Sequence, residues 1–261
     1  MIDHNEVTNN IHTIDVFGSR VDAISYEQMW KLIMSWTRQP EPRRICLAGI
    51  PTILFSRDNP EFREAHGSAD LVIPDGMPLV WSLRRAGYPS QARLDGPNLV
   101  FRLCEDAERN AIPVGFYGST ADTVKQIREK MLSLYPRLDL SLCKSAPFRP
   151  MTEAEELAAV DEINRSGARL VFIGLSCPKQ ELWMGRHRDR LMVTTIAFGG
   201  AFDVAAGIYD RPPMWVQQAG LQWFYRLMQE PHRLLRRYLF QNTRYLGLVI
   251  WSWLGGDTRV R

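Results

Sequence analysis

Four cysteines are present in 261 residues, and Cys46, Cys104, Cys143 and Cys177 share no short spacing and no CxxC pair. That excludes a disulfide scaffold or a zinc knuckle and fits reduced thiols in a cytosolic protein. No apolar run approaches the roughly 20 residues that span a bilayer. The start, Met1-Ile2-Asp3-His4-Asn5-Glu6, lacks the cationic opening and apolar centre of a signal peptide, so a protein not integral to a membrane is expected. The dinucleotide spacing GxGxxG is missing, so no such cofactor is expected. There is no Asp-x-Asp, the usual carboxylate clamp for a divalent metal on a nucleotide donor. A net charge of only +3 gives no footing for nucleic acid. No repeat or low-complexity tract interrupts the chain, and 45% hydrophobic with 23% charged residues excludes disorder.

What is present alternates. Strand-like runs at 14–17, 44–48, 71–73, 112–117, 138–143, 169–173 and 193–198 are separated by stretches with helical spacing, and residues 1–13 are polar and expected to fray. Ser25 with Gln28, and Thr152 with Glu155, read as capping boxes. Gly18-Ser19-Arg20 reads as a turn. This order predicts an α/β, Rossmann-like fold over 1–210, a mainly parallel sheet with helices on both faces. From Arg211-Pro212-Pro213 the composition shifts, predicting a C-terminal helical, basic and aromatic appendage over 211–261.

The organising stretch is Ala69-Asp70-Leu71-Val72-Ile73-Pro74-Asp75-Gly76. Leu71, Val72 and Ile73 favour a strand that Pro74 and Gly76 end, leaving Asp75 at the carboxyl end, where open α/β sheets bind ligands. A carboxylate there can be a general base, a ribose acceptor, a metal ligand or simply part of an Asp-Gly turn. The helix that follows would bring its positive end beside Asp75 and favour anions nearby. Similar strand exits occur at Gly118-Ser119 and Gly174, each with backbone N–H groups suited to phosphate or serving as ordinary turns. Lys179 and Gln180 at a helix head can reach a pyrophosphate or sugar hydroxyl, with Glu181 as the natural partner of Lys179. Gly199-Gly200-Ala201-Phe202-Asp203 lets a ligand approach the backbone, and Asp203 can accept from a ribose or sugar hydroxyl. The turns thus offer Gly76, Gly118, Ser119, Gly174, Lys179, Glu181, Gly200, Phe202 and Asp203 as a donor-binding set.

In the tail, Arg226, Arg233, Arg236, Arg237 and Arg244 are opposed only by Glu230 between residues 226 and 244. Trp251 and Trp253 follow in a stretch too short to span but suited to lie at a membrane surface.

Asp58-Asn59-Pro60-Glu61-Phe62-Arg63, Asp75-Gly76, Arg93, Gly96-Pro97, Pro178-Lys179-Gln180-Glu181 and Trp223-Phe224-Tyr225-Arg226-Leu227 through Glu230-Pro231 occur in an order that resembles the WecG/TagA/CpsF family of bacterial glycosyltransferases, glycosyltransferase family 26. The resemblance covers residues 14 to 245. It implies inverting transfer of an N-acetylmannosamine- or glucose-type sugar from a UDP-sugar to a saccharide on undecaprenyl diphosphate, in cell-surface or exopolysaccharide biosynthesis. It further implies Asp75 as base, Arg93 and Gln180 beside it in the catalytic pocket, and Arg226, Arg233 and Arg236, joined here by Arg237, on the acceptor diphosphate. No metal and no cofactor are expected. The protein is expected on the inner face of the plasma membrane as a peripheral protein, and self-association is left open. Three positions differ from the family's common residues: Gly49 replaces a usual Asn, Pro51 stands where a His or Glu is often found, and Pro78 where Gly is often found, although Pro is acceptable early in a helix. A non-catalytic nucleotide-sugar or lipid-carrier binding protein is therefore the alternative.

Overall fold

The computed structural model describes residues 11–39, 41–218 and 220–254. The side chains of Gln217, Gln218 and Arg233 lie outside the described residues, as does most of the N-terminal stretch read above as frayed. β1 (His12–Val16) and β2 (Ser19–Ala23) form an antiparallel hairpin. The chain continues through α1 (Tyr26–Trp36), β3 (Arg44–Ala48), α2 (Ile50–Asp58), α3 (Pro60–Gly67), β4 (Leu71–Pro74), α4 (Met77–Arg85) and α5 (Gly96–Arg109). Next come β5 (Val114–Gly118), α6 (Ala121–Leu134), β6 (Leu140–Lys144), α7 (Glu153–Arg165), β7 (Leu170–Gly174), α8 (Lys179–Arg186) and β8 (Thr194–Ala197). A 3₁₀ turn at Gly199–Ala201 leads into α9 (Phe202–Ala206), followed by α10 (Met214–Gln218), α11 (Gln222–Gln229) and α12 (Pro231–Trp253).

Six strands form one parallel sheet in the order β4-β3-β8-β7-β5-β6. β4, β5, β7 and β8 are buried along their whole length, as expected for strands covered on both faces. The α/β, Rossmann-like class read from the sequence is the class observed. After β3 the chain builds the neighbouring edge, β4. It then crosses to the other half, makes β5 and β6, and returns inward through β7 and β8. Connections from the two halves lead away from the middle of the sheet, which leaves a crevice above the carboxyl ends there.

The hairpin corrects the turn expected at residues 18–20. Phe17 and Gly18 make the turn in left-handed conformations, φ 55° and 87°, and Phe17 tolerates this because its buried ring packs edge-on against Tyr245 at 5.6 Å. Ser19 already belongs to β2. Asp22, fully buried, accepts from Thr13 Oγ1 (2.6 Å) and from the Val72 backbone N–H (2.8 Å), so the hairpin covers the free edge of β4.

Four phenylalanines build the core beneath the crevice. Phe116 and Phe172 stack at 4.8 Å, Phe198 meets Phe172 edge-on at 5.1 Å, and Phe202 meets Phe116 edge-on at 5.6 Å. Burying each such ring contributes about 1.5–3 kcal/mol. Glycine is required where this cluster meets the strand ends. A Cβ on Gly174 would lie 2.5 Å from the Phe202 ring, and one on Gly118, at φ +127°, 2.5 Å from the Gly174 carbonyl carbon.

The tail packs on the core rather than extending from it. Arg244 donates to both carboxylate oxygens of Asp58 at 2.8 and 2.9 Å, and Tyr245, Leu248 and Val249 join the cluster that contains Ile53 and Leu83. The break at Glu230–Pro231 puts Arg226 on α11 and the later arginines on α12.

Gly118→Ala combines backbone strain with a clash against backbone, each of order 1–3 kcal/mol. Gly167→Ala, at φ +79° with open space around it, carries strain alone. Urea denaturation should therefore show a clearly larger loss for Gly118→Ala; equal losses would contradict the packing argument.

Candidate active site

A cleft of about 870 Å³ opens above the carboxyl ends of β3, β4, β7 and β8, and Tyr225, Arg226, Arg237 and Tyr238 of the tail close one side. Asp75 sits at its edge. The Asp75 N–H donates to Ala48 O (2.8 Å), which continues the β3–β4 ladder one residue past Pro74 and fixes the backbone from which the carboxylate projects. Asp75 Oδ1 accepts from the Gly96 N–H at 3.0 Å. The positive helix end at this carboxylate is therefore that of α5, in addition to the α4 terminus foreseen from the sequence.

Arg93 binds the same residue twice. Its Nε donates to the Asp75 carbonyl oxygen, and its Nη2 lies 3.5 Å from Asp75 Oδ1. The same Nη2 is closer, at 3.0 Å, to Asp95 Oδ1. Asp95, the N-cap of α5, was not among the residues singled out from the sequence. Burial pushes its carboxyl up to about 6, Arg93 opposing and Asp75 adding to the shift. Its signal was available as Asp-Gly-Pro at a helix start.

Gln180 is buried on the first turn of α8, which begins after the cis Cys177–Pro178 bond. Its Oε1 accepts from the Gly199 N–H (2.9 Å) and its Nε2 donates to Glu181 Oε1 (2.9 Å). Glu181 is 1% exposed, and its Oε2 has no hydrogen-bond partner among the described residues. Burial raises the Glu181 carboxyl above its ordinary value, with the Gln180 amide opposing. The expected Lys179–Glu181 pair is not what forms: Glu181 turns inward to Gln180, while Lys179 stays exposed at the cleft wall.

Other expected residues divide. Ser119, Gly174, Gly200 and Asp203 line the cleft. The Ser119 N–H is already spent on Gly174 O (3.0 Å), which weakens the case for this turn as a phosphate cradle. Gly76 caps α4 behind Asp75, and Gly118 lies beneath Gly174. Phe202 is corrected outright: its ring is 1% exposed and fills the space that Gly174 leaves, so it supports the cleft floor without lining it.

Arg226 lines the cleft and is engaged. Its Nη1 donates to Gly200 O (2.9 Å), and its Nη2 faces Glu230 Oε1 (3.3 Å) and Asp203 Oδ2 (3.7 Å), pinning α11 over the glycine turn. Arg237 reaches the cleft, whereas Arg236 is exposed away from the lining and the Arg233 side chain lies outside the described residues. Leu47, Gly49 and Pro51 make an apolar wall near Asp75, since the Thr52 hydroxyl is committed to the Gly49 backbone. The loop Ala146–Met151, with Phe148 and Arg149, forms a further wall that the sequence showed only as a rigid connection. Among the described residues, no three His, Cys, Asp or Glu side chains are grouped to hold a metal ion.

A parallel sheet with a carboxylate and clustered cationic side chains at its carboxyl rim defines a Rossmann-like α/β protein with a polar ligand cleft. Residues 14–259 match the model described as "Glycosyl transferase WecG/TagA/CpsF family". The chain belongs to that family of glycosyl transferases. It is 28% identical over 188 residues to the N-acetylglucosaminyldiphosphoundecaprenol N-acetyl-beta-D-mannosaminyltransferase of Bacillus spizizenii, covering 71% of each chain. A protein of the same name from Bacillus subtilis is also 28% identical over 188 residues, covering 71% of this chain and 72% of that one.

Glu181 gives a test of the site's electrostatics. Its folded-state pKa is raised, so its stabilising contribution is full below the ordinary carboxyl value near 4.5 and is lost as pH rises above it. Glu181→Gln keeps the acceptor for Gln180 and removes the charge. Denaturation at neutral pH should show the variant more stable, by up to about 1–3 kcal/mol, with the gap closing towards pH 4.5. A gap that widens on acidification would contradict the assignment.

Proposed function

We propose that the chain is an inverting hexosyl or N-acetylhexosaminyl transferase, moving an N-acetylmannosamine- or glucose-type sugar from a UDP-sugar to a saccharide on polyprenyl diphosphate. The observation that carries this reading is Asp75. Its carboxylate is fixed by the Gly96 N–H and Arg93, yet 34% of its side-chain surface stays accessible. The printed activity of the two Bacillus relatives supplies the substrate class.

In the reaction, Asp75 takes the proton of the acceptor hydroxyl as its oxygen bonds to the anomeric carbon. The bond from that carbon to the diphosphate oxygen breaks, and its electron pair leaves with UDP. One displacement inverts the anomeric centre. Positioned proton transfer contributes about 10²–10⁴-fold. Positive charge near the departing diphosphate supplies the rest, drawn from Lys179 at the head of α8. With no Asp-x-Asp clamp in the sequence, this compensation is read as metal-independent.

In this reading residues 1–210 carry the chemistry and 211–261 hold the acceptor at the membrane. Arg226 and Arg237 are the arginines best situated for the acceptor diphosphate. On α12, Leu235, Leu239, Leu246, Ile250 and Trp253 are exposed at i, i+4, i+11, i+15 and i+18, one stripe of the helix. With exposed Trp223, Phe224 and Met228 on α11 they suit a bilayer surface on the cytoplasmic side. No helix among the described residues is long and apolar enough to cross it.

The apolar wall of Leu47, Gly49 and Pro51 favours a second reading, a protein that binds nucleotide-sugar or lipid carrier without turnover. Transfer assays with EDTA present separate the two. The wild-type protein should turn over, and Asp75→Asn should lose about 10²-fold or more in kcat while folding normally and binding UDP within a few-fold. Near-normal transfer by the variant would end the general-base assignment, and no transfer by the wild type with any UDP-sugar would favour the second reading.

A further inference from the structure

Arg93 is shared unequally between two carboxylates. Its Nη2 stands 3.0 Å from Asp95 Oδ1 and 3.5 Å from Asp75 Oδ1. Asp95 is itself well held: its side chain is 10% exposed, and its Oδ2 accepts from Asn98 Nδ2 at 2.5 Å. The next residue, Gly96, supplies the N–H that binds Asp75. Two consecutive residues at the start of α5 therefore set both the carboxylate and the guanidinium beside it.

We propose that Asp95 is a positioning residue for transfer: it draws the Arg93 guanidinium to itself and so leaves the Asp75 carboxylate unclosed and able to take the acceptor proton. This rests on the reading of Asp75 as base. An arginine closed onto a carboxylate lowers its pKa by about 1–3 units, which would make a poorer base. The charged groups facing Asp95 are Arg93 on its own loop, Asp75 at the end of β4, and Arg211 on the approach to α10. Burial raises the Asp95 carboxyl above its ordinary range, towards the pH of ordinary assays. When it is protonated, its hold on Arg93 weakens and the guanidinium closes on Asp75.

Asp95→Asn isolates the effect, because the amide keeps the shape of the side chain and an oxygen to accept from Asn98 while removing the charge, and the Asp95 side chain makes no capping hydrogen bond that could be lost. The pH profile of kcat, with UDP-sugar and a diphosphate-lipid acceptor, is compared between wild type and variant. Asp95→Asn should lower the plateau about threefold or more and move the midpoint of the acid limb down by about half a unit or more, with the donor KM within twofold. Asp95→Ser, small, polar and without charge, carries the same comparison should the Asn variant not fold. An unmoved or raised midpoint, even with a lower melting temperature, would overturn the proposal and leave Asp95 a purely structural partner of Arg93 and Asn98. Asp75→Asn assayed in parallel keeps the two ideas apart. If it transfers normally, the base reading fails; if it is inactive while the Asp95 variants keep the wild-type profile, only the role of Asp95 fails.

Discussion

A parallel sheet covered on both faces buries nearly everything between its strands, so polar chemistry is confined to the rim where the strands end. In this chain that constraint is tightened by close packing. Gly118, Gly174 and the Phe202 ring are in such contact that none of the three has room to grow. The positions of Ser119, of the loop leading to Gln180 and of the Gly199–Ala201 turn follow from that contact. β3 and β4 complete the rim, with the Asp75 N–H joined to Ala48 O.

On this frame the charges are segregated. Asp75 and Asp95 share Arg93 at one end of the cleft, while Arg226 and Arg237 come in from the tail. Arg226 is engaged by Gly200 O, Glu230 and Asp203, so in the proposed reading a diphosphate arriving there would exchange with protein acceptors instead of meeting a bare cation. The remainder of the tail is anchored elsewhere, by the Arg244–Asp58 pair and by Tyr245 on Phe17.

Much of this was legible in the sequence, for local reasons. Leu71–Ile73 and Leu170–Ile173 are apolar runs that only a covered strand explains, and Pro74-Asp75-Gly76 marks where one must stop. What escaped depends on tertiary partners. The start of β2, at Ser19-Arg20, was read as part of a turn, because the N–H of Val72 that satisfies the buried Asp22 of this strand is 50 residues away. Lys179 and Glu181 looked paired by charge, yet residues two apart on a helix face different ways. Phe202 looked like a ligand contact beside two glycines, although the space it fills belongs to a third, Gly174. Asp95 was visible locally only as Asp-Gly-Pro at a helix start; that it shares Arg93 with Asp75 is a relation between two turns that no local pattern records. The family resemblance supplied the activity, which neither strand periodicity nor glycine turns could have specified.

In the proposed mechanism, one base at Asp75 and a direct displacement at the anomeric carbon fix the stereochemical outcome. The direct measurement is the anomeric configuration of the transferred sugar, read by NMR from the one-bond C1–H1 coupling in product made from an α-linked UDP-sugar and a diphosphate-lipid saccharide. A β-linked product is the result expected of a single displacement with Asp75 as base. An α-linked product would require a second displacement on the enzyme and would contradict the central role given to that carboxylate.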